Sequence, residues 1–255
     1  EVSALEFRTA ASRAEEERLA ENFRGYNRFW LDSGTTVLSS GQTSLVVDPS
    51  TGVVPVKPEA EDRRDHDLAH VADSYEYMSV WDRCISRGVP GSMLPAGYNN
   101  AYRFLQTPDY FVIYHEMIHD ARIIPLDGRP HMQVGIRQWM GDSRGHWEGD
   151  TLVVETTNYH DRGWIASSGA GGRIKGIPVS ESLEVVERFT RISRDTVEWA
   201  VTIEDPNIYT RPWTISMPLT RNDEYVIFEY ACHEGNHAVE NILRGGRFQD
   251  ALNVP

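Results

Sequence analysis

The chain of 255 residues predicts a mainly β fold, an antiparallel barrel or sandwich with helices at its periphery. Three observations lead there. From Ala101 onward, segments rich in aromatic and β-branched residues recur, the types that suit a pleated surface. Short polar turns separate several of them, "EGD" at 148–150, "SRD" at 193–195 and "RND" at 221–223, which is hairpin chemistry rather than the long crossovers of parallel sheets. An apolar fraction of 40% supplies enough core for one large β-rich domain or two small ones.

Taken in order, residues 1–30 form a helical segment, because "ALEFRTAASRAEEERLAENFRGYNRFW" is rich in good helix formers and spaces Leu19, Phe23 and Tyr26 on one face. "TSLVVDPSTGVVPV" reads as strand, turn, strand, with Asp48-Pro49 and Thr51-Gly52 in the turn. Residues 57–75 are charged and predict a solvated helix, and a second helical piece follows in "YEYMSVWDRCISRG", giving a helical insertion near 57–88. "GVPGSMLPAGYNN", 88–100, is a Pro/Gly loop. The predicted strands are "AYRFLQT", "YFVIYHEMIHDARII", "HWEGDTLVVETTNY", "LEVVERFTRI", "TVEWAVTI", "PWTISMPLT" and "EYVIFEYACH". The Gly/Ser-rich stretch 166–182 reads as a flexible loop, a lid over a barrel mouth.

The net charge of −13 repels phosphate backbones and argues against nucleic-acid binding. No apolar run approaches the ~20 residues of a membrane span. The chain starts at Glu1 without methionine, as a mature or trimmed chain would.

"YHEMIHDARIIPLDGRPH" contains His115-Glu116-Met117-Ile118-His119, the HExxH pattern of zinc peptidases. That chemistry needs a helix, which puts both histidines on one face beside an activating glutamate. The flanks instead predict one long strand through the motif. There His115 and His119 would share a face with Phe111 and Ile113, about 13 Å apart at ~3.3 Å per residue, too far for one metal. Glu116, Asp120 and Arg122 would point the other way. The expectation is that His119 matters more than His115.

The phrases "QTSLVVDP" (42–49), "GSMLPAGYNN" (91–100), "EMIHDARIIPLDGRPH" (116–131), "QWMGDSRGHWEGDTLVVETTNY" (138–159), "EDPNIYTRPWT" (204–214) and "YACHEGNHAVENILRGGR" (230–247) resemble a large group of exported, mostly uncharacterised bacterial β-rich proteins of lipocalin-like appearance. The resemblance spans Tyr26 to Arg247. It implies a lipocalin-like antiparallel β-barrel with peripheral helices over 31–255, and a periplasmic or secreted location. It supplies no reaction. The Gly145-His146-Trp147 triplet is also similar to the lipocalin GxW, whose Trp plugs a barrel end; a hairpin Trp in the core is the plainer alternative. The two cysteines, Cys84 and Cys232, are either buried thiols or, in an exported protein, a disulfide.

Polar groups in an apolar run cost several kcal/mol unless paired, which singles out His119, Asp120 and Arg122. They form either a structural Asp120–Arg122 ion pair beside a hydrogen-bonded histidine, or an acid–base centre. "CHEGNH", 232–237, ends the last predicted strand and offers His233 and Glu234 to a barrel mouth, unless it is a helix start capped by Asn236. The leading expectation is an enzyme (lyase, isomerase or hydrolase) in which His119 and His233 exchange protons while Asp120, Arg122 and Glu234 orient them. The substrate is a small neutral, aromatic or polyhydroxylated molecule. Trp199, Trp213, Tyr98 and His131 form the expected binding set, the tryptophans otherwise being core. The competing expectation is a non-catalytic protein that binds a hydrophobic small molecule. No cofactor is expected; the alternative is zinc or iron held by His119, His131 and His233.

Overall fold

The computed structural model describes residues 41–167 and 174–252. The helical expectation for 1–30 and the tip of the Gly/Ser-rich loop lie outside them. Two antiparallel sheets form the body. The larger joins β1 (Val46–Asp48), β5 (Asp142–Glu148), β6 (Thr151–Thr157), β7 (Glu184–Arg191), β8 (Thr196–Glu204) and β9 (Trp213–Thr220) in the order β1-β9-β8-β7-β6-β5. The smaller is β2 (Tyr102–Gln106), β3 (Tyr110–His115) and β4 (Ala121–Pro125), in that order.

The chain is mainly β, as the sequence predicts, but no closed barrel forms among the described residues. β4 lies beside β5 without pairing to it, and β2 and β9 have no common ladder. Two of the three polar turns close hairpins, 148–150 between β5 and β6 and 193–195 between β7 and β8, whereas 221–223 leads into a segment that forms no strand. Glu148 pairs with Thr151, leaving a two-residue loop whose Gly149 takes φ 59, the position where a type II′ turn demands glycine.

Alternation on each strand sets the core. Val185, Glu187 and Phe189 of β7 face inward, as do Trp199, Val201 and Ile203 of β8 and Phe111, Ile113 and His115 of β3. The inner faces meet through Phe104, Phe111, Phe189 and Trp199, whose ring centroids lie 5.4–6.4 Å apart from one to the next.

The helical insertion is realised as α1 (Pro58–Ala69), with proline in its first turn where a missing N–H does no harm. The second helical piece shrinks to one 3-10 turn at Tyr75–Tyr77. The stems of the Gly/Ser-rich loop are not lid-like. Ile165, Ala166, Ile177 and Val179 enter the main core, and Ile165 N–H donates to the Ile177 carbonyl at 3.0 Å. The predicted strand 224–233 pairs with no strand among the described residues; it is a strap that runs from β9 towards α2 (Ala238–Leu252). No helix among the described residues is long and apolar enough to cross a membrane.

Candidate functional site

The HExxH segment is neither a helix nor one strand. β3 ends at His115, one 3-10 turn at Met117–His119 reverses the chain, and β4 begins at Ala121. Ile118 and His119 adopt φ 65 and φ 44, a conformation rarely seen for a β-branched residue such as Ile118. The reversal resets the pairing, so that Ile113 opposes Arg122 and Arg122 turns into the core.

There it meets β7. Arg122 is ion-paired to the fully buried Glu187 and donates to Ser143 Oγ at 2.9 Å and Thr156 Oγ1 at 2.7 Å. Glu187 also accepts from Trp199 Nε1 at 3.1 Å. Each charged group has a partner, which is how a buried pair survives desolvation. The expected Asp120–Arg122 pair does not form. Asp120 caps its own strand by accepting from Ala121 N–H at 2.9 Å, and burial pushes its carboxyl up from the ordinary value.

A second polar centre lies just beyond, where β3 ends at His115. Glu116 is fully buried; it accepts from Asn99 Nδ2 and from Tyr225 Oη, the latter at 2.9 and 2.8 Å to its two oxygens. His115 is 1% exposed, and neither ring nitrogen has a hydrogen-bond partner among the described residues. Burial, reinforced by the charges of Arg122 and Arg87, pushes its imidazole down to about 3, so it is neutral at physiological pH. The Tyr102 ring stands edge-on to it, centroids 5.5 Å apart. Arg87 comes from the loop 86–94, whose only regular piece is a 3-10 turn at Gly91–Met93 and which is buried along almost its whole length. Loops usually run over the surface because their backbone needs water.

Next to this centre the open side of the fold forms a cleft of about 1120 Å³. β2 and Phe111 line one wall; Leu152, Phe189, Val197, Met217 and Leu219 of the large sheet line the other. Its rim carries Arg103, Arg191, Arg194 and Arg221 against Asp150, Asp195 and Asp223. Arg221 pairs with Asp223 at 2.6 Å, whereas Arg103 and Arg191 have no carboxylate partner among the described residues. Tyr102 and Tyr225 line the cleft and also touch His115 and Glu116, so they are the partition between cleft and polar centre.

The expected catalytic set is only partly assembled. His119 is tied through Nδ1 to the Tyr230 carbonyl at 2.9 Å. His233 and Glu234 are exposed in a turn, and their side chains make no hydrogen bond or ion pair among the described residues. His131 belongs to a separate group, with Nδ1 3.1 Å from Asp142 Oδ2. Among the described residues no three or more His, Cys, Asp or Glu side chains gather as metal ligands, so His119, His131 and His233 do not form the alternative zinc or iron site. Trp199 and Trp213 are fully buried core residues rather than ligand platforms, because inward alternation turns them into the core, where Trp199 donates to Glu187 and Trp213 stands edge-on to Tyr209. Trp147 is neither plug nor core; it is 45% exposed at the cleft. Tyr98 stacks with Tyr230, centroids 6.2 Å apart, over Met117 and Ile118. Cys84 and Cys232 are bridged, with Cα atoms 5.6 Å apart, and anchor the strap beside this cluster.

Sequence reasoning missed Arg87, Asn99, Glu116 and Tyr225, and it discounted His115. The available signal was Arg87 alone between small and apolar residues in "SRGVPGSML". No protein-family model matches the sequence, and comparison with curated proteins and with solved structures finds no match.

Proposed function

We propose that this is an exported protein of lipocalin-like type that binds a small hydrophobic molecule in the cleft between β2 and β9. The carrying observation is the cleft itself: about 1120 Å³, walled by Phe104, Phe111, Leu152, Phe189, Met217 and Leu219, with charge confined to the rim. Such a site gains from removing apolar surface from water and fixes its ligand with few polar groups. The tie of His119 to a backbone carbonyl and the exposure of His233 favour binding over the acid–base enzyme. The disulfide suits an oxidising compartment, the periplasm or outside the cell.

Titration with the neutral dye N-phenyl-1-naphthylamine tests this reading. Saturable fluorescence enhancement is expected, and Leu219→Glu at the cleft wall should weaken it by about tenfold or more. Non-saturable enhancement, or an unchanged affinity in Leu219→Glu, overturns it.

A further inference from the structure

Arg87 is 3% exposed and makes no hydrogen bond or ion pair among the described residues. Its Nε is buried without an acceptor. The titratable groups near it are the phenols of Tyr102, Tyr98 and Tyr230, which are neutral at physiological pH, and no carboxylate is among them. Glu116 is taken up by Asn99 and Tyr225, and Glu187 by Arg122 and Trp199. An isolated guanidinium is among the most costly groups a protein can bury, and natural structures pair it. His115, within reach of the Arg87 charge, is the second polar group here with nothing to bond, although a neutral imidazole carries one donor and one acceptor.

We propose that Arg87 and His115 form an internal anion site that takes the carboxylate of a small organic acid. This goes beyond the hydrophobic cleft and stands whether or not the cleft binds a dye. The charge count selects a monoanion: one unneutralised guanidinium beside a neutral histidine balances a carboxylate, whereas a phosphate dianion would leave net negative charge buried. The planar fork of arginine matches the two carboxylate oxygens, and His115 adds one N–H. The Tyr102 ring stands edge-on to His115 and offers an aromatic border to the site, so an aromatic acid fits better than acetate.

Thermal unfolding of the whole chain is followed with sodium benzoate, sodium acetate and sodium chloride at equal ionic strength, for the natural protein and for Arg87→Met. Benzoate should raise the midpoint saturably above chloride, more than acetate does. Arg87→Met should weaken benzoate by about tenfold to a hundredfold, the loss of a charge-assisted contact, while raising the ligand-free midpoint because an unpaired buried charge is gone. No rise above chloride, or a rise that Arg87→Met leaves intact, overturns the proposal. Should Arg87→Met not fold, the imidazole nitrogen resonances of His115 in the natural protein decide. A saturable shift with benzoate supports the site, and no shift overturns it.

Discussion

Arg122 on β4 and Glu187 on β7 are paired across the interface between two sheets that share no backbone ladder. Both side chains are buried, and Ser143, Thr156 and Trp199 take up further donors and acceptors of the pair. The pair fixes how the small sheet sits on the large one, since an apolar contact alone would tolerate sliding.

Removing one member leaves the other charged and buried. Glu187→Leu or Arg122→Met should each cost about 3–5 kcal/mol, and the double substitution should recover much of that. Urea unfolding of the two single variants and the double variant checks this; additive losses would refute the pairing.

His115 makes stability depend on pH. Its folded value, about 3, lies below the ordinary histidine value, so between roughly pH 6.5 and 3 the unfolded chain binds a proton that the folded one refuses. Stability is therefore lost as pH falls, by up to about 1.4 kcal/mol per pH unit from this one group. Denaturation curves from pH 7 to pH 4 should show that slope in the natural protein and a shallower one in His115→Gln.

Two glycines with left-handed backbone should respond differently to alanine. A Cβ at Gly141, φ +67, would meet Thr156 Cγ2 at 2.6 Å and the Thr157 carbonyl oxygen at 2.8 Å, while one at Gly149 meets nothing. Gly149→Ala carries the conformational cost alone, about 1 kcal/mol; Gly141→Ala adds a backbone clash and should cost about 2–4 kcal/mol. Melting temperatures of both variants give the comparison.

Thiol titration of the denatured protein should find no free thiol before reduction and two after it. Reduction should lower stability by at most about 5 kcal/mol for a loop this long. It should also expose the strap 221–237 to protease first, because Tyr225, Tyr230 and the bridge are what hold it.

Much of the sheet was legible because hairpins leave local marks: alternation in "LEVVERFTRI" and "TVEWAVTI", and a Gly-Asp turn between β5 and β6. The β3–β4 reversal was not, since "EMIHD" has no glycine, asparagine or proline and places its positive φ on Ile118 and His119. Missing that turn assigned Arg122 to the wrong face and drew attention to His119 instead of His115. The strap "EYVIFEYACH" has a strand's composition, yet tertiary anchoring by Tyr225, Tyr230 and Cys232 decides its course. Arg87 was hidden because a buried loop has no periodicity from which an inward side chain can be read.

The bond from Cys84 to Cys232 also carries an order in time. Cys84 precedes β2 and Cys232 follows β9, so eight of the nine described strands lie inside the covalent loop. A chain made from its amino terminus holds Cys84 as a waiting thiol until every one of those strands has been synthesised. No third cysteine lies between the two, so nothing synthesised in the interval offers Cys84 a wrong partner. Oxidation is then a closing act that needs no exchange with anything made between the two cysteines, while the waiting thiol stays open to that of a neighbouring unfinished copy.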